Sequence, residues 1–157
     1  MKGYLKDPEK TREAFTEDGW YRTGDLGRMD NEGYVFVTGR IKELIIKGGE
    51  NIAPREIDDV IYQFPGILEA AAVGVPDERY GEAVAACVVA SPGSEISLEA
   101  LRVHCEKNLG SFKTPSAFHL MTELPKGPSG KIQRLKLVEE LQKQAADSTA
   151  KELTEST

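Results

Sequence analysis

Two cysteines, two histidines and one tryptophan are the whole supply of thiols, imidazoles and indole rings in this 157-residue chain. Cys87 and Cys105 lie in apolar stretches without CxxC or histidine spacing, which reads as buried, reduced thiols rather than a metal or disulfide site. His104 and His119 have no partner carboxylate or cysteine spacing, so both are expected to be structural. No apolar run approaches the length of a membrane span. Lys and Arg number 20 against 26 Asp and Glu, a formal net charge of -6. That balance argues against nucleic acid, which needs a clustered basic face. The N-terminal MKGYLKDPEK has no signal-peptide core, and the C-terminal KELTEST is neither a lipidation nor a peroxisomal signal. A cytoplasmic protein is expected. At 39% apolar residues there is material for one modest core, so the chain reads as one domain, or a small domain with a short extra piece.

The first forty residues differ from the rest. From Gly3 to Arg28 they are polar, irregular and rich in glycine and charge. MDNEGYVFVTG then predicts a hairpin, with Asp30-Asn31-Glu32-Gly33 as its turn and alternating residues from Tyr34 to Thr38 as a strand. A lone hairpin cannot build a core, so this piece is expected to belong to a sheet formed elsewhere. From Glu43 the pattern becomes that of an α+β domain. Leu44-Ile45-Ile46 is a short strand ended by Gly48-Gly49. Pro54 opens a helix whose apolar residues Ile57, Val60, Ile61 and Phe64 recur at helical spacing. Strands follow at 67–75 and 83–90, joined by PDERYGE. Ser97 caps a helix carrying Leu98, Leu101, Cys105 and Leu109, which Gly110 ends. A third strand is predicted at 117–121 and a last helix at 132–144, with Leu137, Val138 and Leu141 facing the core. The small, polar residues 145–157 are expected to form a disordered tail.

Three segments carry possible chemistry. In Pro125-Lys126-Gly127-Pro128-Ser129-Gly130-Lys131, glycines and prolines favour an open loop exposing backbone N–H groups, with a lysine at its exit; an anionic ligand suits both. It is not a Walker A loop, because Pro125 stands at the first glycine position and Ile132 replaces the Ser/Thr that would hold magnesium. An ordinary surface turn is the competing reading. In GWYRTGDLG, Asp25 sits between glycines ahead of a strand, where a carboxylate can accept from a ribose diol or close an Asx turn. In GRIKELIIKGGENIAPREI, paired glycines after a strand permit close approach of a ligand, or form a plain turn after a linker.

The order and spacing of YRTGD, GRIKELIIKGGENIAPREI and PKGPSGKIQR resemble core motifs of the ANL superfamily, which comprises acyl-CoA and aryl-CoA synthetases, peptide-synthetase adenylation domains and beetle luciferases. The resemblance covers residues 3 to about 142. It implies a small mixed-sheet α+β lid domain over 42–144, preceded over 1–41 by a β-hairpin remnant of the large N-terminal domain and the hinge. It further implies that Lys131 is the catalytic lysine, that Asp25 and Arg40 bind the nucleotide, that Lys42 is the hinge, and that Gly48 and Gly49 line the pantetheine tunnel. No metal site is expected in the chain itself.

By the same resemblance, the full-length protein is an acid–thiol ligase. ATP, Mg2+ and CoA serve it, a carboxylate becomes acyl-AMP with release of pyrophosphate, and the acyl group passes to the CoA thiol as the lid rotates. The fragment alone is expected to be inactive and to hold no cofactor. Its partners would be the missing N-terminal domain, a small carboxylate, ATP and CoA, and the exposed hairpin could pair two copies. Two other readings stay open: an adenylation domain that loads a carrier protein, and a non-catalytic nucleotide- or partner-binding module. Some relatives carry Arg where this chain has Asn51, which leaves a phosphate contact there without its cation. Arg134 could meet a CoA phosphate or lie on the surface. Lys6, Lys10 and Lys47 are expected to be solvated, and Trp20 and Tyr21 to be packing residues.

Overall fold

The structure, a computed structural model, describes residues 1–155, and side chains through residue 146. One compact unit comprises residues 1–42 and a second begins at Glu43; the 3-10 turn Ile41–Glu43 carries the chain from one to the other.

The first unit opens with a short helix that the sequence pattern leaves unassigned, α1 (Pro8–Glu13). Six residues are too few for a periodic signal, yet the local chemistry is complete. Pro8 occupies the first turn, and the Asp7 carboxylate accepts from the Lys10 N–H at 2.9 Å as an N-cap. The predicted hairpin follows as β1 (Asp25–Met29) and β2 (Val35–Arg40), antiparallel, with an irregularity at Leu26/Gly27. Asp30 builds its turn, one carboxylate oxygen accepting the N–H groups of Glu32 and Tyr34, each at 2.9 Å. No residue of this unit is buried, and Tyr34, Val35 and Val37 stand exposed on the two-stranded sheet. The expected packing role of Trp20 is therefore corrected: it is 73% exposed, because no core exists within residues 1–42 to receive it. Tyr21 does pack, edge-on to Phe15 with ring centroids 5.5 Å apart.

The second unit is a five-stranded mixed sheet with helices on both faces. Its long hairpin, β5 (Ile67–Asp77) and β6 (Gly81–Ala90), is antiparallel. Strand β3 (Ile45–Lys47) pairs with β6 and with β4 (Glu50–Ile52). Strand β7 (Ala117–Met121) runs parallel to β6, so the chain must cross over between them, and α3 (Leu98–Lys113) makes that crossing. Helix α2 (Pro54–Ile61) starts on Pro54 as expected.

The apolar runs ILEAAAVGV and AVAACVVA are continuous because their strands are covered on both faces. Ala70, Ala72, Val84, Ala86 and Val88 point to a cluster with Ile57, Ile61, Leu101 and Cys105 of α2 and α3. The alternate residues Ala71, Val73, Ala85, Cys87 and Val89 point to the other face, where Leu124 packs with Leu137 and Leu141 of α4 (Arg134–Glu155). Burial of each such leucine contributes about 1.5–3 kcal/mol. Both thiols are free and buried, as their apolar surroundings suggest.

Ser97 caps α3 through the Ala100 N–H at 3.2 Å. Gly110 interrupts the helix with φ 74° and ψ 166°, a left-handed break that glycine makes without steric cost. One further short turn follows, ending at Thr114, whose hydroxyl donates to the Gly110 carbonyl at 2.7 Å. Helix α4 begins two positions later than the apolar stripe suggests and continues to Glu155. The expected tail, 145–157, thus begins within this helix, and its last two residues lie outside the described residues. Among the described residues no helix is long and apolar enough to cross a membrane.

Candidate functional site

The candidate residues fall into one group in each unit. In the first, Asp25 and Arg40 are direct register partners across β1 and β2, with Arg40 Nε 3.3 Å from Asp25 Oδ1. The strand start is shaped by Thr23, whose hydroxyl accepts from the Asp25 N–H at 3.0 Å, and by the Ile41 N–H, which donates to the Gly24 carbonyl at 2.9 Å. Asp25 therefore projects from a fixed point, partly exposed, with a cation beside it. A carboxylate so held can accept from a diol, and the guanidinium can meet an anion. Lys42 follows in the 3-10 turn and is exposed.

In the second unit, Gly48 and Gly49 form the two-residue connection of the β3–β4 hairpin, with φ 56° and 85°. Positive φ at both central residues is the mark of a type I′ turn, which only glycine, asparagine or aspartate adopts readily. A side chain at 48 would come within 3.4 Å of the Tyr80 ring, whereas one at 49 would meet nothing within 4 Å. The turn thus has one packed side and one open side.

The expectation that Lys47 is solvated is corrected. It is only 8% exposed, its ammonium donating to the Phe112 carbonyl at 2.6 Å and lying 4.8 Å from the Phe112 ring and 5.6 Å from the Tyr80 ring. The reason is strand alternation: Ile45 faces the core, Ile46 faces out at 53% exposure, and Lys47 faces in again. Lys47 also borders a cavity of about 190 Å³ with Arg102, Glu106 and Ser116. Its cations are already engaged, however, since Arg102 donates to the carbonyls of Pro115 and Ser116 at 3.3 and 3.0 Å.

The loop 125–131 is closed rather than open. Lys126 and Ile132 are bridged antiparallel; within them the Gly127 N–H donates to the Lys131 carbonyl at 2.8 Å and the Gly130 N–H to the Gly127 carbonyl at 2.9 Å. Pro128 and Gly130 occupy the second and fourth positions that a type I turn favours, and Gly130 adopts φ 76°. This corrects the expectation of an N–H cradle, because the glycine N–H groups are consumed inside the loop. What the loop presents is the exposed side chain of Lys131. Lys126, by contrast, is paired with Glu69 of β5.

Arg134, three positions after Lys131, is neither a surface residue nor open to a phosphate. It is 16% exposed and reaches three acceptors: Asp58 Oδ2 at 2.5 Å, the Ala72 carbonyl at 2.8 Å and Glu43 Oε2 at 3.3 Å. Asp58 also accepts from the Ala72 N–H at 2.7 Å. Burial pushes the Asp58 carboxyl above the ordinary aspartate range, opposed but not cancelled by Arg134 and by the Ala72 N–H. The remaining titratable groups read as structural. His104 bonds the Val60 carbonyl at 3.0 Å, and burial lowers His119. No three His, Cys, Asp or Glu side chains are grouped as a metal site among the described residues.

Residues 56–131, from the first turn of α2 to Lys131, match the family described as AMP-binding enzyme C-terminal domain. This chain carries the C-terminal AMP-binding domain of the ANL superfamily. Over 138 residues it is 60% identical to the sulfoacetate–CoA ligase of Cupriavidus necator, covering 88% of this chain and 27% of that protein. Among solved structures of the superfamily, ATP-bound MatB from Rhodopseudomonas palustris aligns with a TM-score of 0.83 at 40% identity, over 88% of this chain and 28% of that one. The amide bond synthetase McbA from Marinactinospora thermotolerans aligns with a TM-score of 0.83 at 35% identity, over 90% and 28%. The chain thus spans about a quarter of the length of the relatives it matches.

Proposed function

We propose that this chain is the lid of an AMP-forming carboxylate–CoA ligase, with Lys131 as the catalytic lysine of its adenylating step. The observation that carries the reading is the exposed Lys131 at the exit of an internally bonded loop, in a domain whose family is that of AMP-binding enzymes. Attack of a carboxylate on the α-phosphorus of ATP builds negative charge on the non-bridging and leaving oxygens. An ammonium delivered there on a closing lid stabilises that charge where water is excluded, and can hold the carboxylate for in-line attack.

Asp25 would accept from the ribose hydroxyls, with Arg40 beside the same nucleotide. Lys42 would be the pivot, so that rotation withdraws Lys131 after adenylation and brings the Gly48–Gly49 turn to the acyl-AMP. The open side of Gly49 is suited to a narrow thiol-bearing arm. ATP with Mg2+, a small carboxylate and CoA would be the ligands of the whole enzyme, and residues 1–41 the last part of its large domain. The sulfoacetate–CoA ligase relative favours an acidic small carboxylate and a CoA acceptor. The amide bond synthetase relative supports a second reading, in which an amine takes the acyl group.

The test is made in the full-length enzyme. Lys131→Ala should slow acyl-AMP formation by about a hundredfold or more, while thioester formation from supplied acyl-AMP survives. Equal loss in both half-reactions would refute the assignment. Substituting an amine for CoA as acceptor separates the two readings.

A further inference from the structure

The proposed catalytic lysine needs a fixed place on the lid, and its own loop bonds do not supply one. They close the loop on itself; its entry is tied to the sheet by the Lys126–Glu69 ion pair, but its exit, where Lys131 lies, needs a tie of its own. Beyond the loop the chain enters α4 with Arg134 as the first helical residue. A cation there opposes the helix dipole, which favours negative charge at an N-terminus, and the first turn of α4 carries no acidic residue. Something outside the helix must therefore favour arginine at this position, and three acceptors do. One is a side chain of α2, one a backbone carbonyl of β5, and one the side chain of Glu43, the residue that immediately follows the proposed pivot Lys42.

We propose that Arg134 is a positioning residue: its guanidinium clasps Asp58, Ala72 and Glu43, and so joins the Lys131 loop to both the lid core and the residue next to the hinge. The planar fork of arginine offers five N–H donors in fixed directions, which suits three acceptors on three separate segments; a lysine ammonium at the end of a flexible stem cannot span them. Arg134, Gln133 and the loop form one continuous connection, since the Gln133 N–H donates to the Pro125 carbonyl at 2.8 Å and so closes the loop's base directly beside the clasp. A rotation starting at Lys42 enters the lid at Glu43, and the Glu43–Arg134 contact transmits it to Lys131 without slack in the intervening loop. This role rests on the proposed function for its catalytic consequence, but not for its mechanical one.

Two variants that keep size and fold, Glu43→Gln and Arg134→Lys, test it with two readouts. In this chain, amide exchange should quicken by about fivefold or more at Gly127, Gly130 and Gln133, while amides of the β5–β6 ladder exchange as before. In the full-length enzyme, acyl-AMP formation should fall by about tenfold or more, since small misplacements of a reacting group carry large rate costs. Thioester formation from supplied acyl-AMP should stay within about twofold, because that step does not use Lys131. Unchanged exchange in the loop overturns the proposal, and so does equal loosening of the β5–β6 ladder, which would make the clasp part of general stability. If the loop loosens as expected but Lys131→Ala leaves acyl-AMP formation intact, the clasp stands and the catalytic reading of Lys131 falls.

Discussion

The ammonium of Lys47 donates to the Phe112 carbonyl across 2.6 Å, fastening the strand that leads into Gly48–Gly49 to the short turn that follows Gly110. The bond is charge-assisted, part-buried and flanked by two aromatic rings. Lys47→Met keeps the aliphatic stem and removes only the charge and the donor. The expected loss is about 2 kcal/mol, read as a lower urea midpoint at unchanged slope. A variant as stable as wild type would mean that relief of burying the ammonium offsets the lost bond.

Lys47 also shows where the sequence was legible and where it was not. The strand alternation that buries it is written in Ile45, Ile46 and Lys47, and charge alone hid the conclusion. The continuous runs of β5 and β6 were readable because both faces are covered, as was the α2 stripe, because Ile57 and Ile61 face one cluster. The pairing of Asp25 with Arg40 was only half readable: the turn fixes the register from Met29 to Gly27, but the irregularity at Leu26/Gly27 shifts it by one residue and so brings Arg40 rather than Gly39 opposite Asp25. The clasp of Arg134 was not readable, since its partners lie 62, 76 and 91 residues away in the chain and no local period encodes such contacts. The closure of the 125–131 loop lay between these cases. Pro128 and Gly130 announced a turn, but only the bridge between Lys126 and Ile132 shows that its N–H groups face inward.

Asp58 carries a pH signature of the clasp. Its folded-state pKa is raised, chiefly by burial, so the folded chain binds that proton more tightly than the unfolded chain. The resulting stability is fully present below the ordinary aspartate pKa and is lost as pH rises through the raised folded value. Asp58→Asn has no such proton. Its stability relative to wild type should therefore improve as pH rises through that window and become flat above it, whatever its absolute loss from the broken ion pair. Urea denaturation of both proteins between about pH 3 and 7 reads this difference. A difference that does not change with pH, or that worsens as pH rises, would contradict the raised value.

Cys87 and Cys105 should be chemically silent in the native chain. Both are fully buried, and burial pushes each thiol up to about 11, so little thiolate forms at neutral pH. A disulfide-exchange reagent at pH 8 should label neither thiol until denaturant is added, and then both. Rapid labelling of either in the folded protein would show that its sheet face opens locally.

Gly49 offers the sharpest separation of structure from chemistry in the proposed lid. Its φ of 85° disfavours any side chain, yet a β-carbon there meets nothing within 4 Å, whereas at Gly48 it meets Tyr80. Gly49→Ala should therefore cost only the left-handed backbone strain, about 1–2 kcal/mol, and leave the packing of the turn unchanged. If the pantetheine arm passes the open side of the turn, the added methyl group obstructs it. In the full-length enzyme, thioester formation from supplied acyl-AMP should then fall by about tenfold or more, while acyl-AMP formation is nearly unchanged. Gly48→Ala, whose added methyl group meets the Tyr80 ring at ordinary contact distance and not the open side, should cost a similar backbone strain. Equal effects of Gly49→Ala on the two half-reactions would place the acceptor's path elsewhere on the lid.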